Sequence, residues 1–316
     1  MIGPTKLCPE GIGLVFLYLD DTILIDGAMV SPRVLDTIVL ARERGCMMCV
    51  SSGRTRSMVP SELRTPVYMD YLICTNGAVV YDTIGDGVMY EKPISREDAL
   101  ALHSALAPLK PGWNCFIDGE AYFEWRGFSY MVAGRTPTVG ELRTSKESLH
   151  TGLGRYVRKA FRFGKRMVTN RTGRFQVRSI RPAVEAAEKG VQKMGCSFST
   201  PDVCDRAISV IEHFGKFQVA RMGKQEIEIT AEGVTKATAA RWLMENLNIA
   251  PECAVAFGDS ENDAPLAETC GLFVAVENAT DAVKELADDV CESVYDDGVA
   301  RWLERAMAEA DGANHV

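Results

Sequence analysis

Leu14-Val15-Phe16-Leu17-Tyr18-Leu19-Asp20-Asp21-Thr22 is an apolar run that stops abruptly at two acids and a hydroxyl. Consecutive apolar residues of this length suit a strand buried on both faces of a parallel sheet. Ser31-Pro32 then opens a helix, with Ser as N-cap and Pro at the first helical position. Val34, Leu35, Ile38 and Val39 follow at helical spacing, and Gly45 supplies a stop. Met47 to Val50 and Tyr71 to Cys74 read as further strands. Strands separated by helices imply parallel β-α-β units.

The C-terminal part repeats this order. Thr235 to Leu247 reads as a helix, Ala254 to Phe257 as a strand, and Asp263 to Glu268 as the start of another helix. Leu272 to Val276 is a strand, and Thr280 caps a helix carrying Val283, Leu286 and Ala287. Between the two stretches lies a region of different character, with a long helical pattern over Ser95–Leu109. An insertion into one α/β domain explains this better than a tandem array. The expected division is 1–90 with 223–316 as a Rossmann-like parallel-sheet core, and 91–222 as an inserted α+β domain.

At 316 residues the chain is long enough for two cores, and 47% hydrophobic with 25% charged residues is ordinary globular composition. The longest apolar run, Gly11 to Leu19, is far short of a membrane span, and the first residues lack a signal peptide's pattern. A cytoplasmic protein with no membrane partner is expected. With no export signal, the 10 cysteines read as reduced thiols. Cys46-Met47-Met48-Cys49 has redox or zinc spacing, but on a strand residues three apart face opposite ways, so burial in the core is the better reading. With 4 His, none near a Ser or Cys motif, a His-based triad has little support.

Charge is unevenly spread. Lys146 to Arg181 holds eleven Lys or Arg and one acid, a local +10 in a chain of net −8. Such a segment either meets anions or is a solvated helix face. Its aromatics (Tyr156, Phe161, Phe163, Phe175) are spaced as well for core packing as for stacking on bases. Nucleic acid is therefore not the expected partner.

Acids and small polar residues cluster where strands end, which is where open parallel sheets bind ligands. Asp20-Asp21-Thr22 follows the first strand, Ser51-Ser52-Gly53-Arg54 the second, and Gly258-Asp259-Ser260-Glu261-Asn262-Asp263 a late one, while Lys236 opens a helix. Carboxylates suit Mg²⁺, a hydroxyl followed by Gly offers donors to phosphate, and Lys adds a point charge. Each alone is weak, since an Asp after a strand is more often a helix cap.

Together these residues resemble the haloacid dehalogenase superfamily. Phe16-Leu17-Tyr18-Leu19-Asp20-Asp21-Thr22-Ile23-Leu24 looks like its first motif, in which the strand ends in Asp-x-Asp-Gly-Thr-Leu. Ser52-Gly53-Arg54 resembles the second motif, Lys236 the third, and Gly258-Asp259-x-x-Asn262-Asp263 the fourth. Thr75-Asn76-Gly77-Ala78 and Asp297-Gly298-Val299 match further hallmarks of the Cof-type branch, which inserts its cap between the second and third motifs. The resemblance implies a Mg²⁺-dependent phosphohydrolase acting on a small phosphorylated metabolite through an aspartyl phosphate. Asp20 is then the general acid and base and lends its backbone carbonyl to the metal, Ser52 bonds the phosphoryl, and Lys236 neutralises its charge. Asp259 holds Mg²⁺, Asp263 is a ligand or supports one, and Asn262, Gly53, Arg54 and the Asn76-Gly77 turn line the phosphate pocket.

The chain departs from the motif at its centre. Alignment on Asp20 and Thr22 puts Tyr18 where the nucleophilic Asp belongs and Asp21 where Gly belongs. Tyr is neutral at pH 7 and a poor Mg²⁺ ligand. The covalent acceptor and one anionic ligand are lost together. Sliding the register makes Asp20 the nucleophile but leaves Thr22 as the acid, and a phosphotyrosine at Tyr18 is a further route. The alternatives to an impaired enzyme are an inactive phosphate- and Mg²⁺-binding module and a polyanion-binding protein using the basic segment.

Overall fold

The computed structural model describes residues 11–127, 130, 174–260 and 263–313. They form two compact units, one from Met1–Lys92 with Gly233–Val316 and one from Pro93–Glu232. The first begins with β1 (Leu14–Tyr18), whose five residues are all buried, as a strand covered on both faces requires. Then α1 (Pro32–Glu43) starts where Val34 N donates to Ser31 Oγ and Pro32 sets the first helical φ. The helix buries Val34, Thr37, Ile38 and Ala41 on one face. β2 (Met47–Ser51) and β3 (Tyr71–Cys74) follow, and the chain turns back through β4 (Val79–Asp82) and β5 (Gly87–Glu91).

The second unit is built around α2 (Arg96–Leu106), β6 (Gly112–Ile117), β7 (Glu120–Glu124), β8 (Arg174–Val177), α3 (Arg181–Ala186), β9 (Lys193–Ser197), α4 (Pro201–Glu212), β10 (Phe217–Arg221) and β11 (Glu226–Ala231). Its sheet runs β10-β11-β9-β6-β7-β8, antiparallel except for the parallel pair β7/β8. This is an α+β arrangement. The unit ends at Glu232, later than the expected residue 222, because β10 and β11 form a hairpin whose second strand pairs with β9. Composition alone does not reveal that the hairpin belongs to this sheet.

The chain then returns to the first unit with α5 (Lys236–Leu247), β12 (Ala254–Gly258), β13 (Leu272–Val276), α6 (Asp281–Leu286), β14 (Asp289–Cys291) and α7 (Gly298–Ala313). The sheet order is β14-β13-β12-β1-β2-β3-β4-β5. Pairings from β14 to β3 are parallel, and β3/β4 and β4/β5 are antiparallel. β1 and β12, far apart in sequence, are therefore neighbours at the centre of the sheet, and their carboxyl ends lie together. α1 and α7 pack on each other, joined by Arg33 and Thr37, which both donate to the Glu304 carboxylate. The expected helix from Asp263 is only a short 3₁₀ turn over Ala264–Leu266, with N–H bonds reaching back three residues.

Eight cysteines are free among the described residues, and seven of these are buried. Cys46 and Cys49 fit the core reading, since burial raises both thiols and neither is oxidised. No described helix is long and apolar enough to cross a membrane.

Candidate functional site

The end of β1 sets the site. After Tyr18 the chain tightens into a turn in which Leu19 O accepts from the amides of Thr22, Ile23 and Leu24. Asp21 sits in this turn at φ 58, a left-handed conformation that Gly prefers and Asp tolerates. That tolerance accounts for a non-glycine residue at this motif position. Asn278 Nδ2 fastens the turn by donating to Asp21 O at 2.6 Å.

Asp20, the expected acid and base, is clasped by Arg54. The guanidinium donates through Nε to Oδ2 at 2.9 Å and through Nη2 to Oδ1, a two-pronged pair. Nη2 also reaches Gly27 O at 2.9 Å and Nη1 reaches Met58 O at 3.0 Å. Arg54, expected to bind phosphate, is therefore committed in this structure to holding the Asp20 carboxylate and two backbone carbonyls. Gly27 and Met58 carry no motif signal in the sequence, because they contribute only carbonyl oxygens.

The loop after β2 is bound to the end of β3. Ser52 N donates to Ile73 O at 2.9 Å, Asn76 N to Ser52 O at 3.1 Å, and Thr75 N to Arg54 O at 2.9 Å. The Ser52 hydroxyl accepts from Arg54 N at 3.1 Å, which leaves its own proton for an acceptor. Gly77, at φ +97, lies against the turn before α5, where an added Cβ would stand 2.1 Å from Thr235 O. The Asn76-Gly77 turn thus braces both the Ser52 loop and the start of α5. Buried hydroxyls of Ser51, Thr55 and Thr75 in these same loops have no protein partner.

α5 begins with a reciprocal cap in which Thr238 N donates to Thr235 Oγ1 and Thr235 N to Thr238 Oγ1. Its first residue, Lys236, is 2% exposed. Lys236 Nζ donates to Asp263 Oδ1 at 2.5 Å and stands 3.7 Å from the centre of the Tyr18 ring. The ammonium is therefore compensated by one carboxylate and by the negative face of a phenol ring. Ser260 Oγ donates to the other Asp263 oxygen at 3.1 Å, and Gly258 leaves room for Asp263, since a Cβ there would lie 2.7 Å from Asp263 Cβ.

Asp259 follows β12 and accepts from Thr22 Oγ1 at 3.0 Å, which joins the ends of β12 and β1. Burial raises its carboxyl to about 7, with the carboxylates of Asp263 and Asp21 adding to the effect and Thr22 and Lys236 opposing it. The structure thus brings together Tyr18, Lys236, Asp263 and Ser260 in one contact group, joins Asp259 to Thr22, and sets Asp20 with Arg54 beside them. Asn262 lies outside the described residues, as does most of the basic segment. Of that segment Arg181 is described in an exposed ion pair with Glu185.

These residues fit a Mg²⁺ site poorly. Position 18 presents a neutral ring under an ammonium in place of a carboxylate. The Asp20 carboxylate is clasped by Arg54, which does not bear on its backbone carbonyl, and the Asp263 carboxylate is bonded by Lys236 and Ser260, while Asp259 accepts from Thr22 and feels the Lys236 charge. Among the described residues no three acidic, His or Cys side chains form a group that could hold a metal. Mg²⁺ sites use one or two carboxylates completed by waters, and a neutral ring at position 18 leaves few uncommitted carboxylates among the described residues.

The haloacid dehalogenase-like hydrolase family model matches residues 15–303. A 5-amino-6-(5-phospho-D-ribitylamino)uracil phosphatase of Bacillus subtilis is 26% identical over 309 residues, covering 92% of this chain and 96% of that protein. A phosphoglycolate phosphatase of Methanopyrus kandleri is 35% identical over 107 residues, covering 34% of this chain and 46% of that protein, less than half its length. Among solved structures, a haloacid dehalogenase-like hydrolase of B. subtilis superimposes with a TM-score of 0.77 at 22% identity, covering 93% of this chain and 99% of that one.

Proposed function

From the premise that the chain belongs to the haloacid dehalogenase-like hydrolases, in their Cof-type branch, we propose that it is a phosphohydrolase for a small phosphorylated metabolite whose turnover is lowered by Tyr18. The observation that carries this reading is the meeting of Lys236 with Tyr18 at the end of β1, beside β12, and we read Tyr18 as standing in the place of the family's nucleophile. The relatives' substrates, where their names give them, are small phosphomonoesters, which supports the substrate class.

Lys236 supplies the positive charge that a phosphoryl group needs, and the Ser52 hydroxyl supplies a donor from the neighbouring loop. Transfer to a carboxylate at position 18 has no acceptor here, which costs on the order of 10⁴ or more in rate. Beside Asp20 as nucleophile and a phosphotyrosine at Tyr18, the route we favour is direct attack by water. To Asp20, held in orientation by the Arg54 fork, we assign the taking of that water's proton. We assign substrate selection to the inserted unit.

A second reading, a phosphate-binding module without turnover, is favoured by the Lys236–Tyr18 contact, which satisfies the ammonium without a nucleophile. Phosphate release from a panel of phosphorylated metabolites separates the two. The wild-type chain should release phosphate slowly, and Tyr18→Asp should raise the rate at least about 10²-fold. Release by the variant alone would leave the binding module as the function of the natural chain. No release by either folded protein would overturn the phosphohydrolase reading.

A further inference from the structure

A divalent cation at this edge of the sheet would be drawn by carboxylate oxygen at the ends of β1 and β12. The chain supplies such oxygen at Asp259 but sets the Tyr18 ring at the end of β1. Lys236 Nζ lies on that ring at 3.7 Å and donates to Asp263 at 2.5 Å, so a positive charge already sits between the two strand ends. A metal placed against Tyr18 would meet a neutral, bulky group with an ammonium at its face, and repulsion between the two cations would act at short range. An incoming phosphate meets the opposite situation. An ammonium carries three donors, and Asp263 is its hydrogen-bonding partner among the described residues, so donor capacity remains for an anion. Asp263 already pairs with the ammonium, and the ring adds no second full negative charge, as a carboxylate at position 18 would.

We propose that this site binds the phosphate of its ligand without a divalent cation, Lys236 seated on the Tyr18 ring taking over the charge neutralisation that a metal would otherwise share. This rests on the reading that the site receives a phosphate. Tyr18 is then a positioning residue for Lys236, and the loss of the nucleophile and of the metal requirement are one change.

The test is calorimetric titration of the full chain with inorganic phosphate, once in chelator and once in millimolar Mg²⁺. The two affinities should agree within about twofold. Mg²⁺ titrated alone should give no saturable heat. Tyr18→Asp should reverse the pattern, with Mg²⁺ binding measurable and phosphate binding strengthened at least about tenfold by the metal. Lys236→Met should weaken phosphate binding in both buffers. If that variant fails to fold, because Asp263 is left buried and unpaired, the wild-type comparison decides the matter by itself. Phosphate binding seen only with Mg²⁺ overturns the proposal and leaves the phosphate site standing. Absence of phosphate binding in both buffers overturns the proposal together with the reading beneath it.

Discussion

Lys236 and Asp259 show how single side chains are priced by their surroundings. A buried ammonium is costly unless paired, and here Asp263 and the Tyr18 ring both compensate it. Asp259 has the reverse problem. Its neighbours Asp263 and Asp21 are acids, and burial with their charge lifts its carboxyl from the ordinary 3.8 to about 7. The sign of the pH effect follows. Between about 4 and about 7 the folded chain holds a proton on Asp259 that the unfolded chain has released, so this group's contribution to stability falls as pH rises through that range and levels off above it. In metal-free buffer, Asp259→Asn should therefore gain stability relative to the wild type as pH rises from about 5 to about 8, by an amount on the order of a few kcal/mol. Urea unfolding of both proteins across that range checks this, and a constant difference would contradict the raised carboxyl. Motif spacing singled these residues out in the sequence. Their pairings were not legible there, since Arg54 looked like a phosphate ligand in sequence and is turned onto Asp20 in the fold.

Local signals read well where they rest on short-range physics. Ser31, Pro32 and the apolar spacing predicted α1, and the helix read over Thr235 to Leu247 matches α5. The helix expected from Asp263 shrank to a single 3₁₀ turn, for there the Asp263 side chain is drawn to Lys236 and Ser260. β5 went unread because an edge strand with exposed residues lacks a buried-strand pattern. The Asn76-Gly77 turn couples elements that are distant in sequence. Its close approach to Thr235 leaves no room for a side chain, and its φ disfavours one. Gly77→Ala should cost about 3 kcal/mol or more by urea unfolding and should weaken phosphate binding by shifting the start of α5. Unchanged stability would mean that the two segments part easily.

At the scale of the whole molecule, the first unit is assembled from both ends of the chain. The points where the chain leaves and re-enters it are close, with Lys92 Nζ 4.0 Å from where a Cβ on Gly233 would lie. Replacing residues 93–232 by a short Gly-Ser linker should leave a cooperatively folded unit, since its sheet, the α1–α7 contact and the Lys236–Tyr18 pair are internal to it. Circular dichroism with thermal melting checks this, and a non-cooperative melt would show that the core depends on the insert. The sequence by itself determined the alternation of strands and helices, the insertion, the family, and the presence of Tyr18 two residues before Asp20. Each of these is written in local periodicity or in the order of short motifs. The tertiary structure alone decided that Lys236 stands on Tyr18, that Arg54 clasps Asp20, and that β10 and β11 belong to the inserted unit. Those contacts join residues far apart along the chain, and their direction depends on which strand ends the parallel sheet brings side by side.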